Sequence, residues 1–366
     1  MTDTRGISRR ALAGMMAAGT GGAWALRTPS ARAAGETGDP VLRREFIYAS
    51  APYPQCHAST IVEMRGGALG AAWFGGTLER DPDVTIWFAT RDEKGWSNPI
   101  QVADGVRPGA PRLPTWNPVL FQDPAGDLHL FYKVGPSPSA WWGMVVTSAD
   151  AGRTWSTPRR LPDGILGPIK NKPVLLANGD WLSPSSVEKP GEGWAIHFER
   201  SRDRGHRWQA TAPVASPMHI DAIQPSILFH RDGALQAVAR TRQGALASTW
   251  SRDDGASWSP LAAIDLPNPN SGTDAVTLKD GRHLLVYNHS AHNPDSPGKG
   301  SRWPLNIALS DDGVHWRNVL TLESEPIPDG YAYPAVIQRS DGMVHVTYTW
   351  NRVRIRHVVL DPRRLA

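Results

Sequence analysis

Two isolated arginines stand at the ends of predicted apolar strands. Arg240 follows the run Leu-Gln-Ala-Val-Ala, and Arg302 comes just ahead of a strand predicted for residues 305–309. A guanidinium group beside buried apolar chain needs an anionic partner, and it holds a planar carboxylate through two hydrogen bonds. A ligand carboxylate is a natural partner for such a group. The two arginines therefore predict a binding site for a carboxylated ligand.

Other polar residues interrupt apolar strands, and some of them precede proline. Asn117 precedes Pro118, and both Lys170 and Lys172 belong to a Lys-Asn-Lys-Pro run. Because proline cannot donate to a β-ladder, these positions are predicted at strand starts that face a shared cavity. Two further polar candidates are Asp274 and His289. Each of these residues could instead be a strand-end residue whose hydrogen bonds are satisfied within the fold.

Charge and cysteine content exclude several classes of function. The chain has 39 Lys and Arg against 35 Asp and Glu and no clustered basic stripe, so no nucleic-acid partner is predicted. Arg352, Arg354 and Arg356 alternate, which predicts one solvated or salt-bridged strand face. Cys56 alone can form neither an internal disulfide nor a thiolate metal site, and the 12 histidines show no metal-ligand spacing. We predict no metal and no cofactor.

A repeated box determines the architecture that must position these residues. Three copies have the form Ser-x-Asp-x-Gly-x-x-Trp, a fourth has Leu309 in place of the serine, and a fifth is shortened. The copies are 148–155, 201–208, 251–258, 311–316 and 92–96. The aspartate and glycine build a tight turn that the tryptophan covers, so the box is predicted to be structural. The tryptophans are 50 to 59 residues apart, which is typical of one four-stranded sheet per repeat.

Six further turn signals lie between the boxes, among them Asn178-Gly179 and Asp232-Gly233. Each is flanked by short runs rich in β-branched and aromatic residues. Six such hairpins over residues 40–366 predict an all-β, six-bladed β-propeller in a single domain. We expect a monomer whose chemistry lies at the propeller axis, where strand ends from several blades meet.

Residues 1–34 are interpreted separately from this fold. Ser8-Arg9-Arg10 is a twin-arginine signature, and it precedes a mildly apolar stretch and the small-residue exit 31–34. The apolar stretch is too short to span a bilayer, and no later segment is long enough. We predict a cleaved Tat signal peptide and a periplasmic or secreted protein. The alternative is the N-terminal tail of a cytoplasmic protein.

The boxes on a six-fold repeat resemble those of the sialidase (neuraminidase) superfamily, in its BNR/Asp-box branch of predicted sialidases, over residues 45–362. The resemblance implies a glycoside hydrolase of the exo-α-sialidase type that acts on an acidic sugar. In that superfamily three arginines hold the sugar carboxylate. A tyrosine activated by a glutamate attacks the sugar, and an aspartate is the acid/base.

Several roles carry over to this sequence through the resemblance. Arg240 matches the second clamp arginine and Arg302 resembles the third, with Arg242 as a further substrate contact. Tyr333 resembles the nucleophile, and Tyr331 is the near alternative. The resemblance thus implies a catalytic tyrosine inside a carboxylate clamp.

The remaining roles fit less directly. The acid/base region resembles the acidic loop that contains Asp81 and Asp83. His57 stands in the position of the first clamp arginine, and Gln224 stands in the position of the activating glutamate. His57 could also be an ordinary core or strand-end histidine. Because glutamine can neither take a proton nor supply a negative field, the tyrosine would lack its usual base.

Three functions follow from these residues. The first is hydrolysis of an acidic sugar, with Tyr333 at the anomeric carbon and Asp81 or Asp83 as the acid/base. The second is a polysaccharide lyase on a uronic-acid-containing glycan, in which arginines neutralise the uronate while His57 or Tyr333 removes a proton. The lyase needs no activated nucleophile, so it tolerates Gln224. The third is a carbohydrate-binding propeller without turnover. The predicted partner in all three is an acidic glycan or oligosaccharide.

Overall fold

The computed structural model describes residues 38–293 and 299–365, and the regular secondary structure of this part of the chain is almost entirely β-strand. Its strands form six sheets, each an antiparallel meander. The prediction of an all-β, six-bladed propeller is confirmed. The predicted signal peptide lies outside the described residues. No helix within the described residues is long and apolar enough to cross a bilayer.

Blades one to three occupy the first part of the chain. Blade one contains β2 (Gln55–Glu63), β3 (Leu69–Gly76), β4 (Thr85–Asp92), β5 (Gly95–Trp96) and β6 (Ile100–Ala103). Blade two contains β7 (Thr115–Gln122), β8 (Leu128–Val134), β9 (Trp142–Ser148) and β10 (Arg159–Arg160). Blade three contains β11 (Val174–Leu175), β12 (Trp181–Lys189), β13 (Gly193–Ser201) and β14 (Gln209–Ala210).

Blades four to six follow the same plan. Blade four contains β15 (Ala222–Phe229), β16 (Leu235–Thr241), β17 (Ala245–Ser251) and β18 (Ala262–Pro267). Blade five contains β19 (Asp274–Thr277), β20 (His283–Asn288), β21 (Leu305–Ser310) and β22 (Arg317–Glu323). Blade six contains β23 (Tyr331–Gln338), β24 (Val344–Trp350), β25 (Arg354–Leu360) and β1 (Val41–Phe46), and a 3-10 turn, Pro362–Arg364, ends the chain.

The first strand of the chain closes the ring. β1 pairs antiparallel with β25, so that Val41 is opposite Leu360 and Phe46 is opposite Arg356. A backbone hydrogen bond from the Asp361 amide to the Pro40 carbonyl extends this contact. Blade six is therefore made from both ends of the described chain, and the pairing of β1 with β25 closes the ring.

The apolar core lies between neighbouring blades. Its largest cluster joins blade five, through Leu284, Val286 and Leu305, to blade six, through Val344 and Val346, and all five side chains are fully buried. Burial of apolar surface stabilises the fold by roughly 25 cal/mol per Å². Each blade is thus held by the two blades beside it.

The repeated boxes are turns at one end of the propeller, as predicted. In the box at 201–208 the Ser201 hydroxyl donates to Asp203, the Gly205 amide donates to Ser201, and the Trp208 indole donates to the Gly205 carbonyl at 3.0 Å. The same pattern recurs around Asp253. We call this end the box face.

The fourth box uses a different register from the one predicted. Ser310 takes the serine position, because its hydroxyl donates to Asp312 and accepts from the Gly313 amide. Asp312 rather than Asp311 accepts from the turn amides of Val314 and His315. The expectation that this box lacks its serine is wrong. The box is one residue shorter than the other copies, and both its serine, Ser310, and its aspartate, Asp312, are present.

The innermost strands share an irregularity near the axis. The ladders of β2, β7, β15 and β23 each skip two residues, and a residue with positive φ lies in each gap. These residues are Ala58 (57°), Asn117 (37°), Gln224 (58°) and Tyr333 (51°). In three of the four a proline follows, which removes a ladder donor. Asn117 therefore lies in a bulge inside β7 and not at a strand start, whereas Lys170 and Lys172 lie directly before β11, as predicted.

A positive φ costs a non-glycine residue about 1 kcal/mol or more, and such strain collects at functional sites. The bulges turn one residue per strand out of the normal alternation. They lie toward the end at which the inner strands begin, opposite the box face. We call that end the pit face.

Candidate functional site

Tyr333 is the centre of a cluster of cations at the axis. The Cζ of Arg240 lies 5.3 Å from the centroid of the Tyr333 ring, and the Cζ of Arg302 lies 5.7 Å from it. The Nζ of Lys170 is also 5.7 Å from this centroid. These residues come from blades three, four, five and six. The predicted tyrosine and both predicted clamp arginines thus meet at one place.

The two arginines can reach a common ligand. Their Cζ atoms lie no farther apart than 11.0 Å, the sum of 5.3 and 5.7 Å to the Tyr333 ring. Arg240 is 6% exposed, its Nη1 donates to the Asn270 carbonyl at 3.4 Å, and its Nε is buried without an acceptor. Burial lowers the pKa of Arg302, a direction that a bound anion would oppose.

The guanidinium group of Arg302 has no partner in the described part of the chain. It makes neither a hydrogen bond nor an ion pair with residues 38–293 or 299–365. Buried and half-buried charges are normally paired, because an unpaired charge away from water is costly. Two guanidinium groups with most of their donors free, beside one tyrosine, form a site for an anion.

His57 packs against the other side of this cluster. Its ring centroid is 4.3 Å from that of Tyr333, and its Nδ1 is 3.0 Å from the Thr349 hydroxyl. Burial, together with nearby positive charges that include Arg352, Arg302 and Arg240, holds the pKa of His57 well below its usual value. His57 is therefore a neutral imidazole until an anion enters the cluster.

Arg352 belongs to this region, although the alternating pattern predicted a strand face shared with Arg354 and Arg356. That prediction is wrong for Arg352, which lies in the turn between β24 and β25 with a φ of 53°. Its carbonyl accepts from the Cys56 amide, and its Nη1 donates to Glu79 at 2.7 Å. The turn conformation, and not the strand alternation, decides where this side chain lies.

Two lysines close the floor of the cluster. Lys170 donates to the Asn171 side chain and to the carbonyls of Thr273 and Pro334, at 2.7 to 2.9 Å. Burial lowers the pKa of Lys170 to about 7. The three acceptors match the three protons of an ammonium group, so they favour its charged form. Lys170 ties blade three to blades five and six.

Lys172 and Asp274 form an ion pair across the axis, with the Nζ 2.9 Å from Oδ2. Asp274 also accepts from the Ser226 hydroxyl and the Val336 amide. Every oxygen of this carboxylate is thus used to hold blades together. The structure places Lys172 and Asp274 beneath the site as a structural pair.

Two of the bulge residues at the axis, Gln224 and Asn117, carry neutral amide side chains in place of carboxylates. The Gln224 amide nitrogen of the backbone donates to Ser186, while its side-chain Oε1 is buried and has no donor within the described residues. Asn117 is 5% exposed in the bulge of β7. Both are neutral, so neither supplies a base to Tyr333.

Four predicted site residues have other surroundings. Asp83 accepts from the amide and hydroxyl of Thr77, which makes it a cap within its loop. The backbone of Asp81 helps to close the same turn. Neither carboxylate contacts the residues of the cluster within the described part of the chain. The acidic loop instead contributes Glu79, through Arg352.

Tyr331 and His289 also lie away from the cluster. Tyr331 is buried in the core between blades five and six, and its hydroxyl donates to the Glu325 carbonyl at 2.9 Å. The ring of His289 bonds the Tyr287 hydroxyl. Tyr331 therefore stabilises the blade, and Tyr333 alone of this pair faces the axis.

Two further residues, Trp194 and Glu188, lie on the wall of the pit and were not predicted from the sequence. The indole ring of Trp194 lies 4.2 Å from the Cζ of Arg242 and 5.5 Å from that of Arg240. Glu188 is the cross-strand partner of Trp194 at the tip of the β12–β13 hairpin. The turn Lys-Pro-Gly-Glu-Gly between them is a signal that could have drawn attention to this hairpin.

Comparisons with known proteins agree with the propeller fold. A family model described as "BNR repeat-like domain" matches residues 67–346. A protein of unknown function from Dyadobacter fermentans superposes with a TM-score of 0.72 at 17% identity, over 87% of this chain and 98% of that one. No curated protein matches.

Solved sialidases superpose on the same propeller. The NanB sialidase of Streptococcus pneumoniae gives a TM-score of 0.69 at 15% identity, over 90% of this chain and 71% of that one. The Trypanosoma rangeli sialidase in complex with the inhibitor DANA gives 0.64 at 16% identity, over 85% of this chain and 56% of that one. At these identities the likeness is one of fold, and it agrees with the fold that the boxes predict.

Proposed function

We propose, since this chain belongs to the BNR repeat-like domain family, that its axial pit binds the carboxylate of an acidic sugar and that the protein cleaves the glycosidic bond of that sugar. One observation carries the proposal. Arg240 and Arg302 flank Tyr333 with most of their guanidinium donors free. A sugar carboxylate would supply the missing acceptors through charge-assisted hydrogen bonds.

The first route is hydrolysis of the sialidase type. The arginines hold the carboxylate, and this places the adjacent anomeric carbon near the Tyr333 hydroxyl. Tyr333 gives its phenolic proton to solvent and its oxygen attacks that carbon, while the bond to the glycosidic oxygen breaks and the aglycone leaves with a proton as an alcohol. Water then attacks the anomeric carbon and releases the sugar, and Tyr333 leaves as the phenolate that began the cycle. The cations around Tyr333 stabilise the negative charge that develops on its oxygen, but they supply no base in place of the glutamate missing at Gln224.

The second route is β-elimination from a uronate. It is favoured by the contact of His57 with Tyr333, and by the absence of a carboxylate in contact with Tyr333 among the described residues. The arginines would neutralise the uronate and so acidify the neighbouring C–H bond. Tyr333 or His57 would remove that proton, and the glycosidic oxygen would leave. Binding of the uronate would also offset the positive charges that keep His57 neutral.

A single screen separates these routes. Purified protein is incubated with a sialoside panel and with uronate polymers, and both reducing ends and ultraviolet absorbance are followed. Hydrolysis releases reducing sugar without new absorbance, whereas elimination produces the absorbance of an unsaturated uronate. Binding without either product would leave a carbohydrate-binding propeller. Failure to bind any carboxylated sugar by calorimetry, with neutral methyl esters as the matched control, would refute the proposal.

We propose further that the protein is exported by the Tat route and acts in the periplasm or outside the cell. The twin-arginine signature in residues 1–34 supports this, although those residues lie outside the described part of the chain. Replacement of Arg9 and Arg10 by lysine should retain the protein inside the cell. Fractionation of cells that express each form measures the effect.

A further inference from the structure

Glu188 lies on the wall of the pit, at the end of β12. It is paired across the hairpin with Trp194, so the two side chains project from the same face of the blade. The Trp194 ring lies 5.5 Å from the Cζ of Arg240, which in turn lies 5.3 Å from the Tyr333 ring. Two contacts therefore link the neighbour of Glu188 to the centre of the site.

The Glu188 carboxyl has no hydrogen bond or ion pair with a residue of the described chain. Two other acidic residues of the pit face differ from it. Glu79 is held by Arg352 at 2.7 Å, and the Asp83 carboxylate accepts from Thr77. Glu188 is thus a carboxyl without a structural bond in the described chain. It lies on the wall of a pit in which the proposed hydrolysis requires a proton donor.

The surroundings of Glu188 suit a proton donor. Burial raises its pKa, while the positive charges of Arg240, Arg242 and Arg80 oppose that change. A carboxyl in a partly apolar wall retains its proton closer to neutral pH than an exposed one does. The exposed glutamate of the same hairpin, Glu192, instead pairs with Lys189 at 2.9 Å.

We propose that Glu188, from blade three, is the general acid of this site, in the role that the resemblance implied for Asp81 or Asp83. The inference rests on the proposed hydrolysis. The Glu188 carboxyl gives its proton to the glycosidic oxygen as the bond from that oxygen to the anomeric carbon breaks, and the aglycone leaves as an alcohol. The Glu188 carboxylate then takes a proton from the water that attacks the anomeric carbon of the glycosyl–Tyr333 intermediate. The bond from that carbon to the Tyr333 oxygen breaks, Glu188 is protonated again, and Tyr333 leaves as the phenolate that attacks in the next cycle.

The test compares two leaving groups. Glu188→Gln is assayed on sialyllactose, whose sugar leaving group needs a proton, and on 4-nitrophenyl sialoside, whose phenolate leaves without one. We expect kcat/KM on sialyllactose to fall about 100-fold or more, and kcat/KM on the aryl substrate to fall much less. We also expect the alkaline limb of the pH profile to disappear. Glu192→Gln is the matched control and should leave kcat/KM unchanged on both substrates.

Losses of equal size on the two substrates, or an unchanged alkaline limb, would overturn the role of Glu188. Thermal melting and calorimetric binding of sialic acid show whether the variant is folded with an intact clamp, so a misfolded protein is recognised and Glu188→Asp is then used. If the wild-type protein cleaves neither sialoside, the proposed hydrolysis fails and takes this assignment with it. If the wild-type protein is active and only the leaving-group contrast is missing, the assignment alone fails.

Discussion

The two faces of the propeller use charge in opposite ways. On the box face, carboxylates and arginines are paired. Arg91 and Arg339, which line a surface cavity of about 490 Å³ there, bond Glu45 at 2.8 Å and Asp341 at 2.9 Å. On the pit face Glu79 and Asp274 are also paired, but Arg240 and Arg302 have most of their donors free among the described residues, and Glu188 makes no bond there. Paired charges hold turns and blades together, and charges left free mark the place where a ligand is needed.

The pKa values show the same contrast. Hydrogen bonds from Ser257 and Ser251 hold the pKa of Asp253 at about 2, and those from Thr154 do the same for Asp150. The pKa of Glu188 is instead raised by burial, and that of Arg302 is lowered by burial. Box carboxylates are thus stabilised in their charged forms by the fold, whereas the pit groups are not.

The largest effect should come from Tyr333→Phe. This variant loses the hydroxyl that attacks the sugar or removes its proton, so we expect kcat to fall by about 1,000-fold or more. Binding of a sugar carboxylate should persist, because both arginines remain. Steady-state kinetics and calorimetry on the same preparation check this. Retained turnover would show that the hydroxyl of Tyr333 takes no part in the reaction.

Loss of a clamp arginine should come next. Truncating one partner of a buried charged pair costs about 2 to 5 kcal/mol, so we expect Arg302→Met to weaken binding of an acidic sugar by about 30-fold or more. Because no carboxylate of the described residues pairs with Arg302, the melting temperature of the variant should stay the same or rise. Arg339→Met, on the box face, is the control, and it should lower the melting temperature without affecting binding.

Asp253→Ala should give a smaller effect, on stability alone. It removes hydrogen bonds to Ser251 and Ser257 at the edge of blade four. Since the site is solvent-screened, we expect the free energy of unfolding to fall by about 1 kcal/mol. Chemical denaturation measures it, and kcat should be unchanged. A loss of activity without a loss of stability would contradict the structural role of the boxes.

The smallest expected effect, which involves several boxes at once, is the loss of stability at low pH through the box aspartates. Asp150, Asp203 and Asp253 have folded pKa values of about 2, below the ordinary 3.8. Their contribution is complete above the unfolded pKa and is lost as pH falls through about 2. We therefore expect urea midpoints to decline between pH 4 and pH 2, and a triple Asp→Asn variant to decline less. Parallel declines would assign the acid sensitivity to other groups.

The sequence predicted the fold well because the box is a local signal. Ser, Asp, Gly and Trp make their contacts within eight residues, so their spacing alone reveals the turn and the repeat, and the six further hairpin turns then give the number of blades. Arg240 and Arg302 were also predictable, since an isolated arginine beside apolar strands needs a partner wherever the chain folds. Even the local signal had a limit, because the fourth box is shortened by one residue.

The missed residues depend on long-range geometry. In a regular strand Tyr331 and Tyr333 would share one face, and only the bulge at Tyr333 sends them to different places. Arg352 follows strand alternation in the sequence but occupies a turn with positive φ. Glu188 is significant only because the pit-face end of β12 lies next to Arg240, which comes from another blade. The positions of these side chains depend on how the blades meet around the axis, and no short stretch of sequence predicts that.

That closure also limits where maturation could trim the chain. The outermost strand of blade six begins at Val41, and its ladder with β25 continues to Phe46. Proteolysis after residue 34 leaves β1 intact. A cut about ten residues later would remove most of β1 from its pairing with β25, and the exposed edge of β25 could then pair with another chain. We therefore expect a cut within these six residues, but not one after residue 34, to promote self-association.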